Sequence, residues 1–156
     1  MFTDIWHDIT ALCSAFISLL FTVRLFLLGN PFLAVQLSIA LASCYAIAVP
    51  IKTMFFKKRP NNQQFSNLYE KFSASSFPSV HSMRAVCFGI ILSFFLNTAF
   101  FYSIALIAVS GVMYSRIKLR KHYWGDALAG AAFGIMIGVL VVYFEPAKGL
   151  MALIGG

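Results

Sequence analysis

Five long apolar stretches dominate this sequence, and a water-soluble fold has no way to bury so many at once. They occupy roughly residues 9–29, 31–54, 80–98, 100–117 and 124–144. The last reads WGDALAGAAFGIMIGVLVVYF and holds one charged residue, Asp126. Crossing about 30 Å of hydrocarbon takes a helix of about 20 apolar residues, and each stretch is close to that length. Inside lipid every backbone N–H and C=O must be satisfied within the chain, which favours helices for stretches of this length. The expected fold is therefore all-α: a polytopic membrane helical bundle of about five transmembrane helices, forming one domain over residues 1–156. Composition agrees, because 60% of the residues are hydrophobic and only 11% are charged, against about 25% charged in soluble domains.

Smaller signals refine this picture. Gly29, Asn30 and Pro31 form a turn between the first two spans, and Asn97–Thr98 marks a soft break between the third and fourth. The fifth span carries Gly130, Ala131, Ala132, Gly134 and Gly138. Small residues let membrane helices approach closely, so this helix is expected at the centre of the bundle. The tail EPAKGLMALIGG is expected at the interface or frayed. The opening MFTDIWHDIT is acidic and has no basic segment or small-residue cleavage site, so no cleavable signal is expected. Cys13, Cys44 and Cys87 lie singly in apolar runs, which suggests neither zinc nor a disulfide framework.

Polar residues concentrate at 55–79 and 115–124, each reached after an even number of crossings and therefore on one membrane face. Nine of the twelve Lys and Arg residues lie on or beside that face: Lys52, Lys57, Lys58, Arg59, Lys71, Arg116, Lys118, Arg120 and Lys121. The net charge of +7 fits a basic surface held against anionic lipid, and the expected partner is the bilayer, with no nucleic acid. Three clusters on this face ask for more than lipid attraction. In KTMFFKKRP, Lys52 and Arg59 stand two helical turns apart and Pro60 stops the helix. In PSVH, Ser79 is an N-cap for the third span, whose free N–H groups attract an anion. In SRIKLRKHYWGDAL, His122 and Asp126 are i and i+4, close enough on a helix for a carboxylate to accept a hydrogen bond from the imidazole, and Arg116 ends the preceding span.

These clusters resemble the motifs of the type-2 phosphatidic-acid phosphatase superfamily, which includes membrane lipid phosphatases and the vanadium haloperoxidases. The family pattern is Lys, six residues, Arg-Pro; then Pro-Ser-Gly-His; then Ser-Arg, five residues, His, three residues, Asp. Lys52 and Arg59-Pro60 match the first part, Pro78-Ser79 and His81 the second, and Ser115-Arg116, His122 and Asp126 the third. Two departures stand out. Val80 replaces the motif glycine, where a branched side chain would approach the ligand unless the helix start supplies ordinary dihedrals. The family commonly has six spans and five are counted here, the absent one being upstream of all motifs.

The resemblance implies a small bacterial enzyme that removes phosphate from a lipid phosphate or diphosphate: polyprenyl diphosphate, phosphatidylglycerol phosphate, phosphatidic acid or a lipid A phosphate. It implies His122 as nucleophile, Asp126 fixing its tautomer, and His81 as general acid and then base. Lys52, Arg59, Ser79, the Val80 N–H and Arg116 would hold the phosphate. No cofactor and no metal is expected, because cationic side chains take the metal's electrostatic part and Asp126 is the sole acid in the motifs. The alternative is a catalytically impaired lipid-phosphate binder, altered at Val80. A haloperoxidase fits poorly because those relatives are soluble. A transporter gives no reason for the His122, Asp126 and Arg116 set.

Other polar residues have plainer expectations. His7, Lys57, Lys58, Lys118, Arg120 and Lys121 read as interfacial or headgroup contacts, Glu70 as a loop charge, and Tyr123 and Trp124 as interfacial anchors. Arg84 faces either the pocket or a neighbouring helix. The basic face reads as cytoplasmic by its Lys and Arg count, with Asp4 and Asp8 mildly opposed; the resemblance implies the bacterial inner membrane with the site on the periplasmic face. A Ser66→Cys variant tests this: an impermeant thiol reagent is expected to label it in intact spheroplasts, and protection there would make the face cytoplasmic.

Overall fold

The computed structural model describes residues 15–61, 74–146 and 148. Among the described residues five helices follow in order: α1 (Ala15–Leu27), α2 (Pro31–Met54), α3 (Val80–Leu96), α4 (Ala99–Lys118) and α5 (Trp124–Phe144). The fold is an all-helical membrane bundle, with no strand among the described residues. Helices α2, α4 and α5 are long and apolar enough to cross a membrane, and α1 and α3 are shorter apolar helices. The early part of the first expected span, His7, Cys13, Glu70, Lys71 and most of the C-terminal tail lie outside the described residues.

Local chemistry sets the breaks. Gly29 takes a left-handed φ of +80°, where a side chain would be strained, and Pro31 opens α2 in the first turn, where its missing N–H costs nothing. Asn97 closes α3 in the left-handed conformation that Asn tolerates, and the Thr98 side chain accepts from the Phe101 N–H to start α4. The soft boundary of the sequence is thus a sharp two-residue corner.

The core is a seam of three helices. Leu33, Leu37, Ala40, Cys44 and Ala48 of α2 meet Val80, Met83, Cys87 and Ile91 of α3 and Ile137 and Val141 of α5. Their spacing of three or four residues is the stripe that a helix presents to its neighbours. Helix α3 packs on α2, α4 and most extensively on α5, while α1 rests on α2. The central position expected for α5 therefore belongs to α3, with α5 its closest partner. The reason is visible in the glycines: a Cβ at Gly130 would collide with the Ser79 carbonyl, and one at Gly134 with the Met83 carbonyl. The small face of α5 is what lets the α3 backbone come so near. Outward, Phe16, Leu27, Leu106, Ile107, Tyr143 and Phe144 are exposed, a surface suited to lipid.

Gly130→Ala and Gly134→Ala are each expected to cost about 1–3 kcal/mol through overpacking against backbone. Gly125→Ala, where a Cβ meets nothing within 4 Å, is the control. Thermal unfolding in detergent micelles measures the difference.

Candidate active site

Four helix ends meet at one end of the bundle: the last turns of α2 and α4 and the first turns of α3 and α5. They bring Lys52, Ser79, Arg116 and Asp126 to one level, with His122 just before α5. Helix α2 ends at Met54, so Pro60 is not what stops it, and Arg59 belongs to the segment beyond the helix and shares no helix face with Lys52. All the motif residues expected to form a site are thus gathered at this end. The irregular segment 74–79 lies among them and is almost fully buried. Its polar backbone needs partners at such depth, and the site supplies them. Lys52 Nζ donates to the Ser75 carbonyl at 2.6 Å. The Ser76 N–H donates to the Lys57 carbonyl at 2.8 Å, and the Ser79 N–H to the Asp126 carbonyl at 3.0 Å. Ser75 and Ser76, both fully buried, were not singled out in the sequence. The run SASS just before PSVH was the available signal, since small polar residues suit a segment buried between helix ends.

Ser79 caps α3: its Oγ accepts from the Ser82 N–H at 3.4 Å and from the Ser82 hydroxyl at 3.0 Å. Val80 is the first residue of α3 and is absent from the positive-φ residues among those described. Its side chain packs in the apolar core. The valine therefore meets no dihedral demand that required glycine, and its branch points into the bundle's packing.

The His122 ring is nearly buried, and its Nδ1 lies 2.6 Å from the Ser76 carbonyl oxygen. A carbonyl only accepts, so Nδ1 carries the proton and Nε2 keeps its lone pair. Burial, then the charges of Arg116, Arg59 and Lys52, push its pKa down to about 2, against the opposing pull of the Ser76 hydrogen bond. The ring is neutral at physiological pH. His81, in the first turn of α3, stands where Arg116, Arg84, His122 and Arg59 all act on it. Lys121 is drawn below its ordinary pKa by burial and by the charges of Arg59 and Arg116, which sets it near the cationic cluster.

The expected pairing of His122 with Asp126 is not formed: among the described residues no hydrogen bond joins them. Helix α5 begins at Trp124, so His122 precedes it and the i, i+4 geometry of a helix face does not apply. Asp126, fully buried, instead accepts from Lys57 Nζ at 2.6 Å and from the Tyr123 N–H at 2.9 Å. Lys57 is 46% exposed and lies over the Tyr123 ring at 4.9 Å and the Phe77 ring at 5.9 Å. Sequence reasoning assigned it to lipid headgroups, and its partner across the fold lies 69 residues away. Lys58 is exposed. Arg84 reaches the neighbouring helix, donating to the Tyr45 hydroxyl at 3.1 Å with its guanidinium 5.7 Å from that ring. Among the described residues no group of three His, Cys, Asp or Glu side chains is placed to hold a metal.

The arrangement is a helical membrane bundle with two imidazoles set among cations at a helix N-terminus, where the helix dipole favours negative charge. The sequence profile of the PAP2 superfamily matches residues 33–150, and the chain belongs to that family. It is 29% identical over 97 residues to decaprenylphosphoryl-5-phosphoribose phosphatase of Mycobacterium tuberculosis, covering 62% of this chain and 52% of the relative. It is 33% identical over 82 residues to phosphatidylglycerophosphatase B of Bacillus subtilis, covering 47% of this chain and 40% of the relative. The chain thus matches about half the length of these curated relatives or less. The crystal structure of the transmembrane PAP2 type phosphatidylglycerolphosphate phosphatase from Bacillus subtilis superposes with a TM-score of 0.77 at 23% identity. That superposition covers 93% of this chain and 77% of the other, and it shows a shared fold.

The His122 shift carries a linkage. The unfolded chain takes up a proton on this residue near pH 6.5, and the folded chain does not, so stability falls as pH drops below that value. Between pH 7 and pH 5 the loss from this one group is about 2 kcal/mol. Thermal unfolding across that interval is expected to show a smaller acid loss in His122→Asn than in the wild type.

Proposed function

We propose that the protein is a membrane lipid phosphatase that removes phosphate from a lipid phosphate or diphosphate through a phosphohistidine intermediate. The observation that carries this reading is the neutral His122 ring, with Nδ1 committed to Ser76 and Nε2 left as a nucleophile among Lys52, Arg59 and Arg116. The phosphatase names of the relatives support the same class. In the first step the Nε2 lone pair attacks phosphorus, the bond from phosphorus to the lipid oxygen breaks, and His81, which takes up a proton from water once the bound phosphate's negative charge offsets Arg116, Arg84 and Arg59, passes that proton to the oxygen. In the second, His81 takes a proton from water as the water oxygen attacks phosphorus and the N–P bond breaks. The three cations neutralise the phosphate oxygens as they gather charge, and the α3 N–H groups capped by Ser79 add neutral donors.

Asp126 acts here through Lys57 and the Tyr123 N–H, holding the start of α5 and the segment that carries His122. The reaction needs no metal in this scheme, because cations already surround the phosphate. The reading also takes in a bacterial inner-membrane location with the site on the periplasmic face. The binding-only alternative rested on Val80, whose ordinary helical start and core packing give it no support.

Phosphate release from a panel of lipid mono- and diphosphates, with purified protein in detergent and excess EDTA, tests the proposal. Release is expected to survive EDTA and to fall at least 1000-fold in His122→Ala, more than 4 kcal/mol of transition-state stabilisation. Activity abolished by EDTA, or retained in His122→Ala, would refute the mechanism.

A further inference from the structure

Lys57 stands at none of the motif positions, yet it is bonded on both sides to the parts that hold His122. Its main-chain carbonyl accepts from the Ser76 N–H at 2.8 Å, and the Ser76 carbonyl oxygen lies 2.6 Å from His122 Nδ1. Its Nζ donates to Asp126 Oδ1 at 2.6 Å. Asp126 Oδ2 in turn accepts from the N–H of Tyr123, the residue after His122, at 2.9 Å. With the His122–Tyr123 peptide bond these contacts close a ring that runs from Lys57 through Ser76, His122, Tyr123 and Asp126 back to Lys57. The links are long in sequence, 46 residues from His122 to Ser76 and 69 from Lys57 to Asp126.

A closed ring fixes what one bond alone leaves loose. The Ser76 carbonyl selects the Nδ1–H tautomer only while the imidazole stays in reach of it. The His122 N–H also meets the Arg116 carbonyl at 3.3 Å, which places the main chain and not the direction of the ring. Tying Tyr123 to Asp126, and Asp126 to the residue that holds Ser76, sets the distance between the imidazole and its acceptor. The ammonium that closes the ring is itself bracketed. It lies 4.9 Å from the Tyr123 ring and 5.9 Å from the Phe77 ring, whose faces attract a cation. Those two rings directly follow His122 and Ser76 in the chain.

The charge of Lys57 is directed away from the phosphate cluster. The cations that act on His122 are Arg116, Arg59 and Lys52, and those that act on His81 are Arg116, Arg84 and Arg59. Lys57 is in neither set, and its partner Asp126 is fully buried. We propose that Lys57 is a positioning residue for His122: by closing this ring it keeps the imidazole in the Nδ1–H form, with Nε2 available to phosphorus. The inference rests on the lipid-phosphatase reading and deepens it by adding a residue that acts through Asp126 and Ser76 and does not touch substrate.

The test joins kinetics to a direct view of the imidazole, with the full chain in detergent micelles. Phosphate release is followed on phosphatidic acid and on a polyprenyl phosphate. NMR of the ring nitrogens in histidine-labelled protein reads the tautomer, with His122→Asn identifying the signal. Lys57→Met is expected to lower kcat about tenfold or more, with KM changed less than about twofold, because orientation is lost and phosphate contacts are kept. Its His122 signal is expected to move from the Nδ1–H form to a mixture of tautomers. Lys57→Arg, which keeps a cation between the two aromatic rings, is expected to restore both readouts, and Lys58→Met to change neither. Lys57→Met leaves the buried carboxylate unpaired; if that variant does not fold, Lys57→Met/Asp126→Asn removes both charges and is expected to show the same mixture of tautomers. Wild-type kcat in Lys57→Met, or an unchanged Nδ1–H signal in whichever of the two variants folds, would overturn the proposal. A wild type that releases no phosphate from either lipid, with the tautomer still lost in the variant, would instead sink the phosphatase reading and leave the hold of Lys57 on His122 standing.

Discussion

The close approach of α5 to α3 is the constraint on which the site depends. Gly130 and Gly134 let α5 lie against the Ser79 and Met83 carbonyls, and the Ser79 N–H then reaches the Asp126 carbonyl. That contact joins the start of α3 to the start of α5. The N–H groups, the imidazoles and the buried carboxylate therefore keep one register relative to each other. A methyl group at either glycine would wedge the two helix starts apart, so packing inside the membrane sets polar geometry at its edge.

Electrostatics at this end are lopsided. Lys52, Arg59, Arg116 and Lys121 gather around two imidazoles, and the one motif carboxylate, Asp126, is already paired with Lys57. Burying like charges together is costly unless an anion joins them. Burial and the field of these cations together keep the His122 ring neutral. Burial of the segment 74–79 serves both ends, since its carbonyls orient Lys52 and His122.

Much of the site was legible because motif spacing and span ends both register in one dimension. Lys52, Arg59, Ser79, His81, Arg116, His122 and Asp126 were each readable at the end of an apolar run, and even-numbered crossings put them on one face. Lys57, Ser75 and Ser76 were not readable in the same way. Lys57 meets Asp126 across 69 residues, and a lysine beside Lys58 carries no mark of which one turns inward. Ser76 acts through its backbone carbonyl, and side-chain identity says nothing about where a carbonyl points. The spacing of His122 and Asp126 misled for a related reason: four residues define a helix face only if both lie inside the helix, and α5 starts between them.

The sequence by itself determined the environment, the helices and the polar end of the bundle, because hydrophobic length and helix-end chemistry are local properties. Only the tertiary structure decided that α3 takes the centre, that Ser76 rather than Asp126 holds His122, that Val80 turns into the core, and that an apolar groove opens beside Arg84. Each of those depends on which faces of separate helices meet, and packing between segments distant in sequence settles that.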